Sequence, residues 1–484
     1  VRDDEIRARL MQVNPWWRTT AEPTAWATDD PTLRGRRSYD LGYRSSVLSD
    51  ISTGPVDDKL VVLRGPRRVG KSVLLKDTIV ELCARRDLDV RQVIYLPADG
   101  MRSRDLHRVA ILGRELTRSV GTRPRVWLLD EVTSIVGWTS TMKFLRDNTE
   151  LATDTVVCTG SSWSADSAVE RDLLAGRAGG SSTRRTRLLL PMRFRDVLVA
   201  TERKAPMPGP LSPWDLQGAS AQEAVGECEF FIDELDLAWQ AYLSSGGFPR
   251  AVAEYHRSSQ VGDAFLTDLV SWLHRDVDPD AADDSVPRLL AELATRSTSP
   301  LNRTACAQAL GYSTRQAFDT RLTRLVTTFA GLWSHQVDDA GRRIAGAQSK
   351  LYLSDPLLAW VGPRLRSGLG DPDFTRLSEN ALGVALAEAV EDHQPGRWVT
   401  QDVIGHVRSA SGNEIDFASL PIPTPAGEAR TTPLESKWVS RHWRAESRGI
   451  DQRLGRGIVA TKDILDVGSR VWAVPVPIVA LLLG

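Results

Sequence analysis

From Leu60 to Leu75 the chain reads LVVLRGPRRVGKSVLL. The apolar, β-rich run Leu60 to Leu63 leads into Gly65-Pro66-Arg67-Arg68-Val69-Gly70-Lys71-Ser72, and VLLKDTIVELCARR follows with helical character. This pattern, G-x-x-x-x-G-K-[ST] between a strand and a helix, is that of a phosphate-binding loop. Its glycines let backbone amides close around phosphate oxygens at a helix N-terminus, Lys71 reaches the β- and γ-phosphates, and Ser72 ligates Mg²⁺. All eight residues are therefore candidate ATP contacts. A glycine loop with a coincidental Lys-Ser is the bland alternative, and the flanking strand and helix weigh against it.

A second element agrees. Arg125 to Glu131, RVWLLDE, is an apolar run that ends in two acids, as a buried parallel strand delivers them at its carboxyl end. Asp130 is placed to hold magnesium through water and Glu131 to polarise the attacking water. Thr155 to Thr159 forms another short apolar run, followed by Gly160-Ser161-Ser162. Hydroxyls there, Ser161 above all, face either the γ-phosphate region or a helix-capping turn. The runs Leu60–Leu63, Arg91–Leu96, Arg125–Glu131, Thr155–Thr159 and Arg187–Leu190, with helical stretches between them, predict a parallel α/β sheet.

At 484 residues the chain exceeds one core and implies about three domains. Its formal net charge of -1 supplies no global attraction to nucleic acid or anionic membrane, so any such binding is local. The N-terminal VRDDEIRARL has no signal-peptide pattern. The C-terminal VWAVPVPIVALLLG is apolar but carries two prolines and is too short to span a bilayer, so it reads as closing strands. Cys83, Cys158, Cys228 and Cys306 lack paired-ligand spacing, which argues against disulfide or zinc frameworks. A cytoplasmic protein without a membrane partner is expected.

Downstream, Phe230 to Arg275 has helical apolar spacing, broken by Gly246-Gly247-Phe248-Pro249, and fits a helical lid in which Trp239 and Trp272 are core. The acidic stretch Asp276 to Asp284 suggests a domain boundary. Leu301 to Val326 reads as helix, glycine turn, helix: Phe318, Leu322, Leu325 and Val326 form the buried stripe, and Arg315, Gln316, Arg321 and Arg324 stay polar. Such a second helix either reads DNA bases or serves as a structural or protein-contact module. Leu332–Gln336 and Lys350–Leu353 look like the accompanying wing.

Between Gly412 and Trp438, Asp416 precedes the triplet Glu435-Ser436-Lys437. Strand alternation puts Ile415 and Phe417 on one face and Glu414 and Asp416 on the other, and Glu435 shares a face with Lys437. A hairpin across the proline-rich insert (Pro421, Pro423, Pro425, Pro433) gathers two carboxylates and an ammonium. Asp416 and Glu435 then hold Mg²⁺ and Lys437 helps to position water. The competing reading is two strands with charges on a wet face.

The segments GPRRVGKS, LLDEV, TGSS, LLAGR followed by LLLPMRF, and SSGGFPRAV stand in the order found in a large bacterial and archaeal family of AAA+-like ATPases, which this chain resembles. NPWWR and KLYLSD are similar to that family as well. The resemblance implies a lead segment (1–58), an ATPase core (59–205), a helical lid (206–285), a winged helix (286–366) and a domain similar to PD-(D/E)XK nucleases (367–484). It puts Arg177 at the position of an arginine that reads the γ-phosphate, with Arg171 as rival. For any one of the seven arginines from Arg171 to Arg195, a basic solvated face or a contact for DNA phosphate stays open. It also puts Glu379 at the nuclease helix acid, with Glu388 as second choice, ahead of Asp416, Glu435 and Lys437. The expected function is an ATP- and Mg²⁺-dependent ATPase acting on DNA. The alternative is a signalling or protein-interaction switch whose C-terminal domain does not cleave, with homo-oligomer or protein partners open.

Overall fold

Five buried runs build the first sheet: β1 (Leu60–Arg64), β2 (Val93–Pro97), β3 (Val126–Asp130), β4 (Thr155–Gly160) and β5 (Thr186–Leu188). They lie in the order β2-β3-β4-β1-β5, and every pairing is parallel. Val- and Leu-rich strands suit such a sheet because both of its faces are covered. Chain order and sheet order differ, so β4 separates β1 from β3. The loops after these three strands therefore stand side by side at the carboxyl edge, where α/β sheets bind ligands.

The structure, a computed structural model, describes residues 2–18, 22–163, 186–367, 373–408 and 414–484. It divides into two compact units, Val1–Leu190 and Pro191–Gly484. The first is the α/β unit just outlined.

Its edge strand β2 is capped by the segment NPWWR. Asn14 Nδ2 donates to the Tyr95 carbonyl at 2.9 Å, and Asn14 Oδ1 accepts the Tyr95 amide at 2.7 Å. One amide side chain thus stands in for a neighbouring strand. The indoles of Trp16 and Trp17 both donate to the Val93 carbonyl, at 3.0 and 2.9 Å. An open strand edge invites pairing with other chains, and these contacts close it.

The second unit begins with helices over Phe194–Ala200, Ala219–Cys228, Ile232–Ser245, Pro249–Ser258 and Asp263–Val277. Trp239 and Trp272 are buried among them, as the apolar spacing predicts. Helices Ser285–Arg296, Arg303–Ala309 and Arg315–Thr327 follow, then the antiparallel strands β6 (Gly331–Gln336) and β7 (Lys350–Leu353). Phe318, Leu322, Leu325 and Val326 form the expected buried stripe. The acidic stretch proposed as a boundary lies inside this unit, where Asp278 is buried and accepts from Arg321.

After helices Pro356–Ser367 and Phe374–His393 come β8 (Gly405–Arg408) and β9 (Glu414–Ile415). β8 pairs parallel with β6, so the β6–β7 hairpin is continuous with a four-stranded sheet, β7-β6-β8-β9. Within the proline-rich insert, β10 (Pro421–Thr424) and β11 (Gly427–Arg430) make their own antiparallel pair. The insert's two ends meet where Phe417 and Leu434 exchange backbone hydrogen bonds, both at 3.0 Å. Beyond it, β12 (Leu434–Ser436), β13 (Gly457–Thr461) and β14 (Val471–Pro475) form a parallel sheet.

The chain end corrects the expectation of closing strands: β14 is one, but Val476–Leu483 is a helix. Pro477 sits in its first turn, where no amide donor is needed, and all eight residues are buried. A segment buried on every side shows neither strand nor helix periodicity.

Candidate active site

The loop between β1 and the helix Lys71–Ala84 is shaped by its two glycines. A Cβ on Gly65 would lie 1.8 Å from the Leu189 carbonyl oxygen. Gly70, at φ 98°, turns the chain into the helix from the left-handed region that glycine adopts at no steric cost. No side chain caps that helix, so its first-turn amides face the loop. The Lys71 ammonium is buried and donates to the carbonyls of Gly65 and Pro66 at 2.9 and 2.8 Å.

Across β4 stand the two acids. Asp130 is buried and accepts from the Thr159 hydroxyl at 2.6 Å and the Tyr95 phenol at 3.3 Å. Glu131 turns out of the strand at φ 55°, and its amide donates to the same Thr159 oxygen at 2.9 Å. The Ser161 hydroxyl lies 3.5 Å from the Glu131 carboxylate. Burial raises the pKa of Glu131, with Lys71 and Arg67 pulling the other way. Lys71, Asp130, Glu131 and Ser161 are thus gathered at one edge of the sheet. Arg177 and Arg171 lie outside the described residues.

Sequence reasoning missed the support beneath Asp130. The Lys76 ammonium sits 3.9 Å over the Tyr95 ring and pairs with Asp30 at 3.1 Å. Burial lowers the Lys76 pKa, while Asp30 and Asp130 favour its charge. The only signal in the sequence was a lysine in the apolar stripe of VLLKDTIVEL.

In the second unit, Glu379, Asp416, Glu435 and Lys437 also come together, but with an ammonium among the carboxylates. Lys350, fully buried on β7, contacts Glu414 Oε1 at 2.5 Å, Asp416 Oδ1 at 2.8 Å and Glu379 Oε1 at 3.0 Å. The Tyr352 hydroxyl donates to Glu379 Oε1 at 2.8 Å. Lys437 pairs with Glu435 at 2.9 Å, and the Ser436 amide donates to Asp416 Oδ2 at 3.0 Å. Burial opposes charge on Lys350, but Tyr352 and the three acids hold its pKa well above the ordinary lysine value. Asp416 stays low because Lys350 and Lys437 outweigh its burial. Glu388, the second choice for the helix acid, pairs instead with Arg193 at 2.5 Å. In KLYL, alternation puts Lys350 and Tyr352 on one face, and that was the available clue.

The helix Arg315–Thr327 departs from its expected polar face. Arg321 donates to Asp278 at 3.0 Å and stacks over Tyr312, and Arg324 donates to the Val277 carbonyl at 3.2 Å. Both guanidiniums therefore hold the end of helix Asp263–Val277. Arg315 and Gln316 remain exposed.

Fold and site together define a P-loop α/β unit. Residues 57–198 match the protein family described as "AAA domain". No curated protein matches the chain. Among solved structures, a Walker-type ATPase of Pyrococcus abyssi aligns at 13% identity and a TM-score of 0.36, covering 70% of this chain and 95% of its own. The ORC2 protein of Aeropyrum pernix, in its ADPNP–ADP complexes, aligns at 12% identity and 0.34, with 69% and 98% covered. RuvB of Thermotoga maritima aligns at 14% identity and 0.28, with 65% and 93% covered. No helix among the described residues is long and apolar enough to cross a membrane.

Proposed function

We propose that the first unit binds and hydrolyses ATP with Mg²⁺. The reading is carried by one observation: the Thr159 hydroxyl ties Asp130 and Glu131 together, one strand away from the loop that holds Lys71. The residues fit the nucleotide, since a Cβ-intolerant glycine loop, uncapped helix amides and a buried ammonium suit phosphate oxygens. The segment Gly65 to Ser72 cradles the phosphates with its backbone amides, Pro66 excepted, and Lys71 meets their charge. Ser72 and Asp130 hold magnesium, which neutralises charge building on the phosphates. Glu131 polarises the attacking water, and Ser161 lies beside it. Arg177 enters this reading, on the family resemblance, as the arginine that reads the γ-phosphate.

For the second unit we read residues 286–366, with the β6–β7 hairpin as wing, as a winged helix, and residues 367–484 as nuclease-like. DNA is the partner this reading names, with exposed Arg315 and Gln316 as its contacts. The alternative, a C-terminal region that binds without cutting, is favoured by a specific observation, the Lys350 ammonium among the carboxylates.

The test is nucleotide binding and phosphate release in wild type, Lys71→Ala and Glu131→Gln, each with and without single- and double-stranded DNA. Lys71→Ala is expected to lose nucleotide binding. Glu131→Gln is expected to keep it and lose about a hundredfold or more in turnover. Unchanged turnover in Glu131→Gln removes that residue from the mechanism, and ATP turnover indifferent to DNA removes DNA from the reading.

A further inference from the structure

We propose that Lys350 takes the position of a divalent metal ion in the carboxylate cluster of the second unit, so that the cluster is a closed internal ion lock and not a magnesium centre. The magnesium that the nuclease resemblance implies does not fit these residues as they are arranged. An ammonium has three N–H donors. Lys350 meets the carboxyl groups of Glu414, Asp416 and Glu379 at 2.5, 2.8 and 3.0 Å, which matches its three donors to three acceptors.

Several of the oxygens that converge on this point already have partners. Asp416 Oδ1 takes Lys350 and Oδ2 takes the Ser436 amide. Glu379 Oε1 takes both Lys350 and the Tyr352 hydroxyl. Glu435 Oε1 takes Lys437, and Oε2 takes the Asp416 amide at 3.1 Å. Magnesium needs oxygens at about 2.0–2.1 Å in near-octahedral array. An ion drawing on Asp416 and Glu379 would face the repulsion of the ammonium that already contacts both carboxyl groups.

Lys350 is also fixed from behind. Its strand is paired along β6, with Lys350 opposite Ser334. The Ser349 carbonyl accepts the Leu301 amide at 2.9 Å, and Tyr352, two residues on, is held by Glu379. The ammonium is delivered by a strand built into the sheet and not by a free tail.

The proposal is independent of ATP hydrolysis by the first unit, and its test uses no nucleotide. Mn²⁺ bound per full-length chain is counted by electron paramagnetic resonance for wild type, Asp416→Asn, Lys350→Met and the double variant, with circular dichroism as the folding check. Wild type and Asp416→Asn are expected to bind equal numbers of ions. Lys350→Met is expected to bind one more ion, lost again in the double variant, because removing the ammonium frees the converging oxygens. An ion bound by wild type and lost in Asp416→Asn overturns the proposal. So does a folded Lys350→Met that gains none. If Lys350→Met does not fold, the comparison of wild type with Asp416→Asn decides alone.

Discussion

The Thr159 hydroxyl donates to Asp130 Oδ1 at 2.6 Å, and its own oxygen accepts the amide of Glu131 at 2.9 Å. One side chain on the middle strand therefore sets the position of two acids on its neighbour. Thr159→Val keeps the shape and removes both bonds, leaving a buried carboxylate and an amide without this partner. A loss of about 1–3 kcal/mol in stability is expected. The turnover number should fall about tenfold or more, while nucleotide affinity changes less. Thr159→Ser restores the hydroxyl and should recover most of both. Urea unfolding and phosphate release at saturating MgATP measure the two effects, and wild-type turnover in Thr159→Val would separate Thr159 from the site.

The pH dependence of hydrolysis should carry the signature of Glu131. In its proposed role the side chain acts in its ionised form, and burial raises its pKa above that of an ordinary glutamate even with Lys71 and Arg67 opposing. A raised value means protonation at a higher pH, so activity should fall with acidification before an exposed carboxyl, near about 4.3, would respond. Residual turnover in Glu131→Gln should lack that acid limb. Rate profiles of the two proteins across the acid range test this, and coincident profiles would refute it.

The cap on β2 should be worth a measurable part of the first unit's stability. Asn14→Ala withdraws both partners from the main chain of Tyr95, a residue in the buried part of the sheet. A destabilisation of about 2 kcal/mol or more is expected. Trp16→Phe should cost less in hydrogen bonding, because Trp17 still donates to the Val93 carbonyl. Urea midpoints followed by tryptophan fluorescence give the comparison, and an Asn14→Ala midpoint equal to wild type would show that the cap contributes nothing.

Arginines of the helix Arg315–Thr327 should separate into two kinds. Arg321→Ala strips the buried Asp278 of its cation and is expected to destabilise the second unit by about 2 kcal/mol. Arg315→Ala breaks only an exposed pair with Asp319 and should change stability by less than about 0.5 kcal/mol. If DNA binds here, Arg315→Ala should weaken it and flatten its salt dependence. Equal stability losses in the two variants would contradict the geometry, and DNA affinity unchanged in Arg315→Ala would move the contact elsewhere.

Sequence revealed most where a function is written in consecutive residues. The loop Gly65 to Ser72, the acids Asp130 and Glu131 and the five strands of the first sheet are local patterns, and strand direction alone brings their ends together. Contacts across long sequence gaps left no such trace. Asn14 reaches Tyr95, and Lys350 reaches Glu379 and Asp416, through folds that periodicity does not encode. Arg321 is illegible for a related reason: on a helix next to solvent, a guanidinium either reaches outward or folds back, and here the buried Asp278 decides. The terminal helix was illegible because uniform burial erases alternation.

Lys350 belongs to a hairpin, while the acids that balance it arrive with a later helix and a later strand. Neither stretch can be cut free at that seam without leaving a buried charge uncompensated. β6 adds a second tie by pairing with β8. The β6–β7 hairpin and the segments that follow it are therefore not interchangeable modules joined by a linker. A fragment that stops before Phe374 should not reach the native hairpin, and refolding of the whole unit should wait on a distant ring closure, with the earlier segment kept immature until the later one arrives.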